Sequence, residues 1–158
     1  MCGFIAYFPL GKNKFDKKKF IESSKYISHR GPDNNKFFYH NDINLIFYRL
    51  RIRDISSKGD QPMFSYSKKN IIVFNGEIYN SEKLKKKLNI TKFRGHSDTE
   101  ILINLYEKYG KNIINELEGM FSFIIYNFEK KKIVAARDRF GIKPLYYTVY
   151  NDELLFAS

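Results

Sequence analysis

Cys2 is the only cysteine in this 158-residue chain, and its position matters more than its type. A lone cysteine excludes an internal disulfide. With only His29, His40 and His96 beside it, no metal-ligand spacing appears. By type alone it would be a small buried hydrophobe. A small residue at position two, however, permits removal of Met1, and Cys2 then becomes N-terminal. Its free α-amino group, with a pKa of about 7.7–8.0, can take the thiol proton and later protonate a leaving amine. Such a nucleophile needs no His-Asp relay. Attack on an amide would create a tetrahedral oxyanion, which calls for preorganised donors worth about 3–4 kcal/mol each.

Other residues suit that chemistry one by one. Asn75-Gly76 offers a side-chain amide and a backbone N–H side by side. The same dipeptide after an apolar run is also the best short hairpin signal, and taken alone the hairpin is favoured by about two to one. Arg49, Arg51 and Arg53 alternate with Leu50 and Ile52, so a strand would present the three arginines on one face. An arginine fork matches a carboxylate. Asp98 suits an ammonium group, although its place in the first turn of a predicted helix explains it adequately through the helix dipole.

The elements that must position these residues follow from apolar periodicity. Residues 2–8 read as a strand, closed by Pro9-Leu10-Gly11. Asp16 caps a helix to about Ser28, with Phe20, Ile21, Ser24 and Ile27 on one face. Residues 37–39 and 44–49 read as strands around a turn at Asn41-Asp42, and residues 71–74 as a buried strand ending at Asn75-Gly76. Residues 81–88 form a short helix. A stronger helix starts at Ser97, which makes a capping-box pair with Glu100 and leads the stripe Ile101, Leu102, Leu105, Tyr106 and Tyr109 to a stop at Gly110. Residues 120–126, 132–137, 145–150 and 153–157 complete about eight strands. The run 120–126 lacks alternation, which predicts a strand covered on both faces. Two stacked sheets with helices outside would satisfy it, an α+β arrangement.

Composition narrows the classes. Hydrophobic residues at 43% and a length sufficient for one core predict a single globular domain. The longest apolar runs are too short to span a bilayer, and the N-terminus lacks the pattern of a secretory signal. A cytoplasmic setting is therefore expected. The net charge of +11 invites a nucleic-acid reading, but only seven of the 28 basic residues are arginine, and most lysines lie in short solvent-type runs. Nucleic-acid binding stays at about one chance in ten, since charge speaks to nonspecific association.

The order of the motifs is more telling than any one of them. Cys2-Gly3, His29-Arg30-Gly31-Pro32-Asp33, Arg49-Leu50, Gln61-Pro62-Met63, Asn75-Gly76-Glu77-Ile78-Tyr79-Asn80, Ser97-Asp98-Thr99-Glu100, Gly119-Met120-Phe121 and Arg137-Asp138-Arg139-Phe140-Gly141-Ile142-Lys143-Pro144-Leu145-Tyr146-Tyr147 follow one another. Over essentially the entire chain this resembles the class II glutamine amidotransferase domain of glutamine-hydrolysing asparagine synthetases, the asparagine synthetase B family. The resemblance implies the N-terminal nucleophile hydrolase fold, a four-layer αββα sandwich with two mainly antiparallel sheets between helices. It implies Cys2 as nucleophile, with Asn75 and the Gly76 N–H as the oxyanion hole. Arg49 would hold the glutamine carboxylate, Glu77 and Asp98 its ammonium group, and the backbone around Leu50 and Ile52 would line the pocket. That warrant does not extend to Arg51 and Arg53. The segments 29–33 and 137–147 would serve architecture, with Arg30 and Arg139 as loop anchors.

The same resemblance implies a glutaminase domain over residues 1–158 that makes ammonia for an ATP-dependent synthetase domain, which activates aspartate. No Ser- and Gly-rich ATP-pyrophosphatase loop occurs in these residues, so that domain is expected outside this chain, in cis or in trans. ATP and magnesium are expected only there, and no cofactor in this domain. Glutamine is the expected small-molecule partner, no membrane or nucleic acid is expected, and a homodimer stays open. Two other readings remain: an amidotransferase half for a different acceptor such as a sugar, and a catalytically silent module that gates a synthetase.

Overall fold

The computed structural model describes residues 2–11, 15–90 and 92–158; Met1, expected to be removed, lies outside them. In chain order the elements are β1 (Gly3–Pro9), α1 (Lys17–Ser24), β2 (Asn34–His40), β3 (Ile43–Arg49), β4 (Met63–Phe64), β5 (Asn70–Ile78), α2 (Ser81–Lys85), α3 (Asp98–Tyr109), β6 (Gly119–Asn127), β7 (Lys132–Arg137), β8 (Tyr146–Tyr150) and β9 (Glu153–Ala157). Turns of 3-10 helix cover Lys25–Arg30, Ser57–Gly59 and Gly110–Glu116. The strands form two sheets, ordered β2-β3-β1-β9-β8 and β4-β5-β6-β7, with antiparallel pairing throughout.

Three apolar clusters account for the layering. Phe4, Ala6, Phe8, Leu45 and Phe47 of the first sheet meet Ile71, Val73, Ile124 and Tyr126 of the second. The opposite faces of the same strands are covered as well. Ile5, Tyr7, Ile46 and Tyr48 pack on Phe20 of α1, while Ile72, Phe74, Phe123 and Ile125 pack on Leu102 and Leu105 of α3 and Leu84 of α2. The result is the expected αββα stack, and it explains why β1, β3, β5 and β6 read as unbroken apolar runs. Each such side chain, removed from water, contributes about 1.5–3 kcal/mol to holding the layers together. The exception is β8, at the outer edge of its sheet, where Tyr146, Tyr147, Val149 and Tyr150 are all exposed.

Several expected boundaries move, each for a local reason. Cys2 precedes β1 and does not belong to it. The helix expected to reach Ser28 ends at Ser24, whose Oγ donates to the Ile21 carbonyl at 2.7 Å and lies 3.0 Å from the Tyr48 hydroxyl. This side-chain bond competes with the helical ladder, and the chain tightens into 3-10 turns. The helix expected over residues 81–88 shortens to Ser81–Lys85, although both Leu84 and Leu88 still reach the core. The two-residue strand β4 is too short to leave a periodic signal.

The main correction concerns Asn75-Gly76, which is no hairpin. β5 runs straight through it to Ile78, with Asn75 opposite Ser122 and Gly76 opposite Phe121 on β6. A Cβ on Gly76 would stand 2.1 Å from the Met120 carbonyl oxygen, so glycine is required by the close approach of two backbones and not by a turn. At Ser97 the capping box is half formed: its Oγ accepts from the Glu100 N–H at 3.1 Å. The Glu100 carboxylate instead accepts from Tyr66 Oη and from the Arg94 and Gly95 N–H groups.

Candidate active site

Pairing of β1 with β3 brings Gly3 opposite Tyr48 and so sets Cys2 against the end of β3. The Leu50 N–H donates to Cys2 Sγ at 3.4 Å, and the thiol lies 3.5 Å from the Leu50 carbonyl. Burial pushes the Cys2 thiol up from its ordinary value, and the Leu50 N–H and the nearby Arg49 charge oppose that rise. The resting group is therefore a thiol, which needs a base before it can attack.

One pocket collects every expected site residue: Cys2, Arg49, Leu50, Ile52, Asn75, Gly76, Glu77 and Asp98. Of the two undecided arginines, Arg53 lines it and Arg51 does not. β3 ends at Arg49, so the alternation expected through Arg53 stops there. The Arg51 side chain is exposed and its N–H donates to Asp33 Oδ2 at 2.7 Å, whereas Arg53 Nη1 lies 3.7 Å from Asp98 Oδ2 and donates to the Ile78 carbonyl.

Arg49 is buried and clamped. Its Nη1 donates to the Ser56 carbonyl at 2.6 Å and to Asp60 Oδ1, and its Nη2 donates to the Asp54 carbonyl. Among the described residues that leaves one Nη2 proton and the Nε–H for a ligand. Asp60 also accepts from Asn34 and Lys36, each at 3.0 Å. Burial alone would raise the Asp60 carboxyl, but Lys36, Arg49 and Asn34 hold it below the ordinary range.

Asp98 opens α3. Its Oδ2 accepts from the Ile78 N–H at 2.9 Å and its Oδ1 from the Thr99 N–H at 3.0 Å, which fixes the carboxylate at the end of β5. Burial pushes its pKa up, and the neighbouring Glu77 adds to the rise against the pull of Ile78 N–H and Arg53. An ammonium ligand would relieve that cost.

The supporting loops do more than expected. Gly31 lies so close to β3 that a Cβ would stand 2.2 Å from the Tyr48 carbonyl, and the Asp33 N–H donates to the Arg49 carbonyl at 3.0 Å. This is the architectural role expected of residues 29–33. Arg30, expected as a loop anchor, instead reaches the site. In the amide orientation that leaves neither end of Asn75 facing a like group, Arg30 Nη2 donates to Asn75 Oδ1 at 3.1 Å and Asn75 Nδ2 donates to the Cys2 carbonyl at 3.2 Å. Arg139 does anchor its loop, through the Leu117 and Asn115 carbonyls.

Other contributors stood within the quoted motifs without an individual role. Gln61 links three elements, donating to the Phe74 carbonyl and Thr99 Oγ1 while accepting from the Phe74 N–H. Asp138 accepts four N–H groups, from Phe121, Phe140, Ile142 and Lys143, which hold its carboxyl low against the opposing effect of burial. That hub turns Lys143 inward to line the pocket, buried, where desolvation and the Arg30 charge lower its pKa. Its apolar setting, Ile142-Lys143-Pro144-Leu145, was the one available signal.

The sequence profile of the family described as "Glutamine amidotransferase domain" matches residues 1–158. The chain belongs to that family. It is also similar to asparagine synthetase [glutamine-hydrolyzing] 1 of Bacillus subtilis (strain 168), 39% identical over 163 residues that cover 100% of this chain and 26% of the relative. The asparagine synthetase [glutamine-hydrolyzing] of Zea mays is 42% identical over 147 residues, 92% of this chain and 25% of the relative. An Arabidopsis thaliana relative, asparagine synthetase [glutamine-hydrolyzing] 2, is 41% identical with the same coverage. This amidotransferase domain thus spans about a quarter of the length of the curated relatives it matches.

Proposed function

We propose that this chain hydrolyses the side-chain amide of glutamine through a thioester on Cys2. The observation that carries the reading is the convergence of a lone, base-dependent thiol with a cationic, an acidic and an amide group in one pocket. Once Met1 is removed, the Cys2 α-amine takes the thiol proton and Sγ attacks the amide carbon. Asn75 Nδ2 and the Gly76 N–H hold the oxyanion that forms. Collapse breaks the C–N bond, and the proton carried by the α-amine leaves with ammonia. Water then attacks the γ-glutamyl thioester, giving glutamate and restoring the thiol.

Arg49 orients the substrate carboxylate with the protons its clamp leaves over, and Glu77 and Asp98 hold the ammonium group. Leu50 and Ile52 shape the wall beside the thiol. In this reading the ammonia passes to an ATP-dependent synthetase part of the kind named in the relatives, which makes asparagine from aspartate. ATP and magnesium belong to that part, and the amine-assisted chemistry of Cys2 calls for no cofactor. A reducing, cytoplasmic setting suits a nucleophile that must stay a thiol.

Cys2→Ala is expected to abolish glutamine-dependent ammonia release while leaving the thermal transition unchanged. Ammonia release that survived the substitution would overturn the mechanism. Forms retaining Met1 should be inactive, because their amine is displaced from the thiol.

A further inference from the structure

Behind the pocket wall, two buried serine hydroxyls that the reaction as written does not use connect to Asn75. Ser122 Oγ on β6 is 2.7 Å from Ser158 Oγ, and Ser158 Oγ is 2.8 Å from the Asn75 side-chain amide. All three residues are at most 2% exposed. Ser158 is held by its own main chain, donating to the Phe4 carbonyl at 3.0 Å and accepting from the Phe4 N–H at 3.2 Å, so its hydroxyl enters from the end of β9, beside the start of β1. Ser122 is the cross-strand partner of Asn75.

The direction of these bonds follows from proton counting. A guanidinium can only donate, so the amide edge facing Arg30 must be Oδ1. Ser158 Oγ meets the same edge and therefore donates to it, and its lone pair accepts the proton of Ser122. Nδ2 is left on the opposite edge, against the Cys2 carbonyl, with a second proton for an acceptor in the pocket. Turning the amide over would set Nδ2 against a cation and Oδ1 against a carbonyl.

We propose that the Ser122–Ser158 hydroxyl pair is a positioning device that holds the Asn75 amide with its donor edge toward Cys2 before substrate arrives. The inference rests on the reading of Cys2 as an amide-cleaving nucleophile. It makes both serines contributors to the oxyanion hole without contact to the substrate. Preorganisation of this kind acts on the transition state, so its loss reads out in kcat and not in KM.

The test uses the full chain with Ser122→Ala, Ser158→Ala and Ser158→Thr. Both alanine variants should lose about tenfold in kcat for ammonia release, with KM within about twofold. Inactivation by a γ-diazoketone analogue of glutamine, whose carbonyl occupies the oxyanion site, should slow in parallel. Alkylation by iodoacetamide, which needs only the thiolate, should not change. Ser158→Thr keeps the hydroxyl and should recover most of the loss. Unchanged kcat in folded alanine variants, or a fall in iodoacetamide rate equal to that for the diazoketone, would overturn the proposal. Should Ser158→Ala fail to fold, Ser122→Ala, which leaves the β1–β9 pairing alone, decides by the same criteria. A parent chain that neither releases ammonia nor reacts with the diazoketone would sink the underlying reading instead.

Discussion

Arg49 is committed to its own loop before any ligand arrives, and that dual duty has measurable consequences. Among the described residues, removing it leaves the buried Asp60 with Lys36 and Asn34. Arg49→Met is therefore expected to cost about 3 kcal/mol in urea denaturation as well as raising KM for glutamine. Asp138 makes a different prediction, one of pH. Its folded pKa is depressed, so its contribution to stability is present above the unfolded carboxylate value of about 3.9 and is lost as pH falls through the folded value. Asp138→Asn should destabilise the chain by about 2 kcal/mol at neutral pH. That deficit should begin to narrow as pH falls below about 3.9, where the unfolded chain takes up a proton, and should close once pH passes below the lower folded value; denaturation at neutral and acid pH checks it. At this scale the sequence was informative where a residue type is rare or sits in an ordered motif, as with Cys2, Arg49 and Asp98. It was silent on Ser122 and Ser158, because a serine hydroxyl has no period or spacing that separates a buried relay from a solvated surface.

At the scale of elements, β5 holds the site together by carrying Asn75, Gly76 and Glu77 in register against β6. Gly76→Ala puts a methyl group 2.1 Å from a main-chain oxygen that cannot rotate away. A loss of more than about 3 kcal/mol, or failure to fold, is expected in thermal melts. A hairpin turn would have tolerated the change far better. The strands were legible because burial on one or both faces writes itself into apolar runs, and the Ser97 cap marked the start of α3 within a residue. Helix ends were less legible. The stop at Ser24 combines its bond to the Ile21 carbonyl with a tyrosine hydroxyl from β3, and the missing half of the capping box depends on Tyr66 and the loop at Arg94 and Gly95. The two tyrosine contacts come from 24 and 34 residues away, and local pattern cannot contain them.

Taken whole, the molecule keeps its lysine runs away from the candidate site. The lysine runs at 17–19 and 85–87 lie with α1 and α2 on opposite outer layers of the stack, so they do not merge into one basic face. The separation of these two runs weakens a nucleic-acid reading of the net charge of +11. Among the described residues no helix is long and apolar enough to cross a membrane. Four layers cover the inner strands, and of the edge strands β8 is exposed along its whole length, which bears on the practical life of the chain. A row of tyrosines and a valine on a strand with no further sheet neighbour among the described residues is a template onto which another strand can add. Concentration, more than temperature, is then the variable to watch during purification and storage. Light scattering should climb as the sample is concentrated, and Val149→Lys should suppress the climb without touching ammonia release.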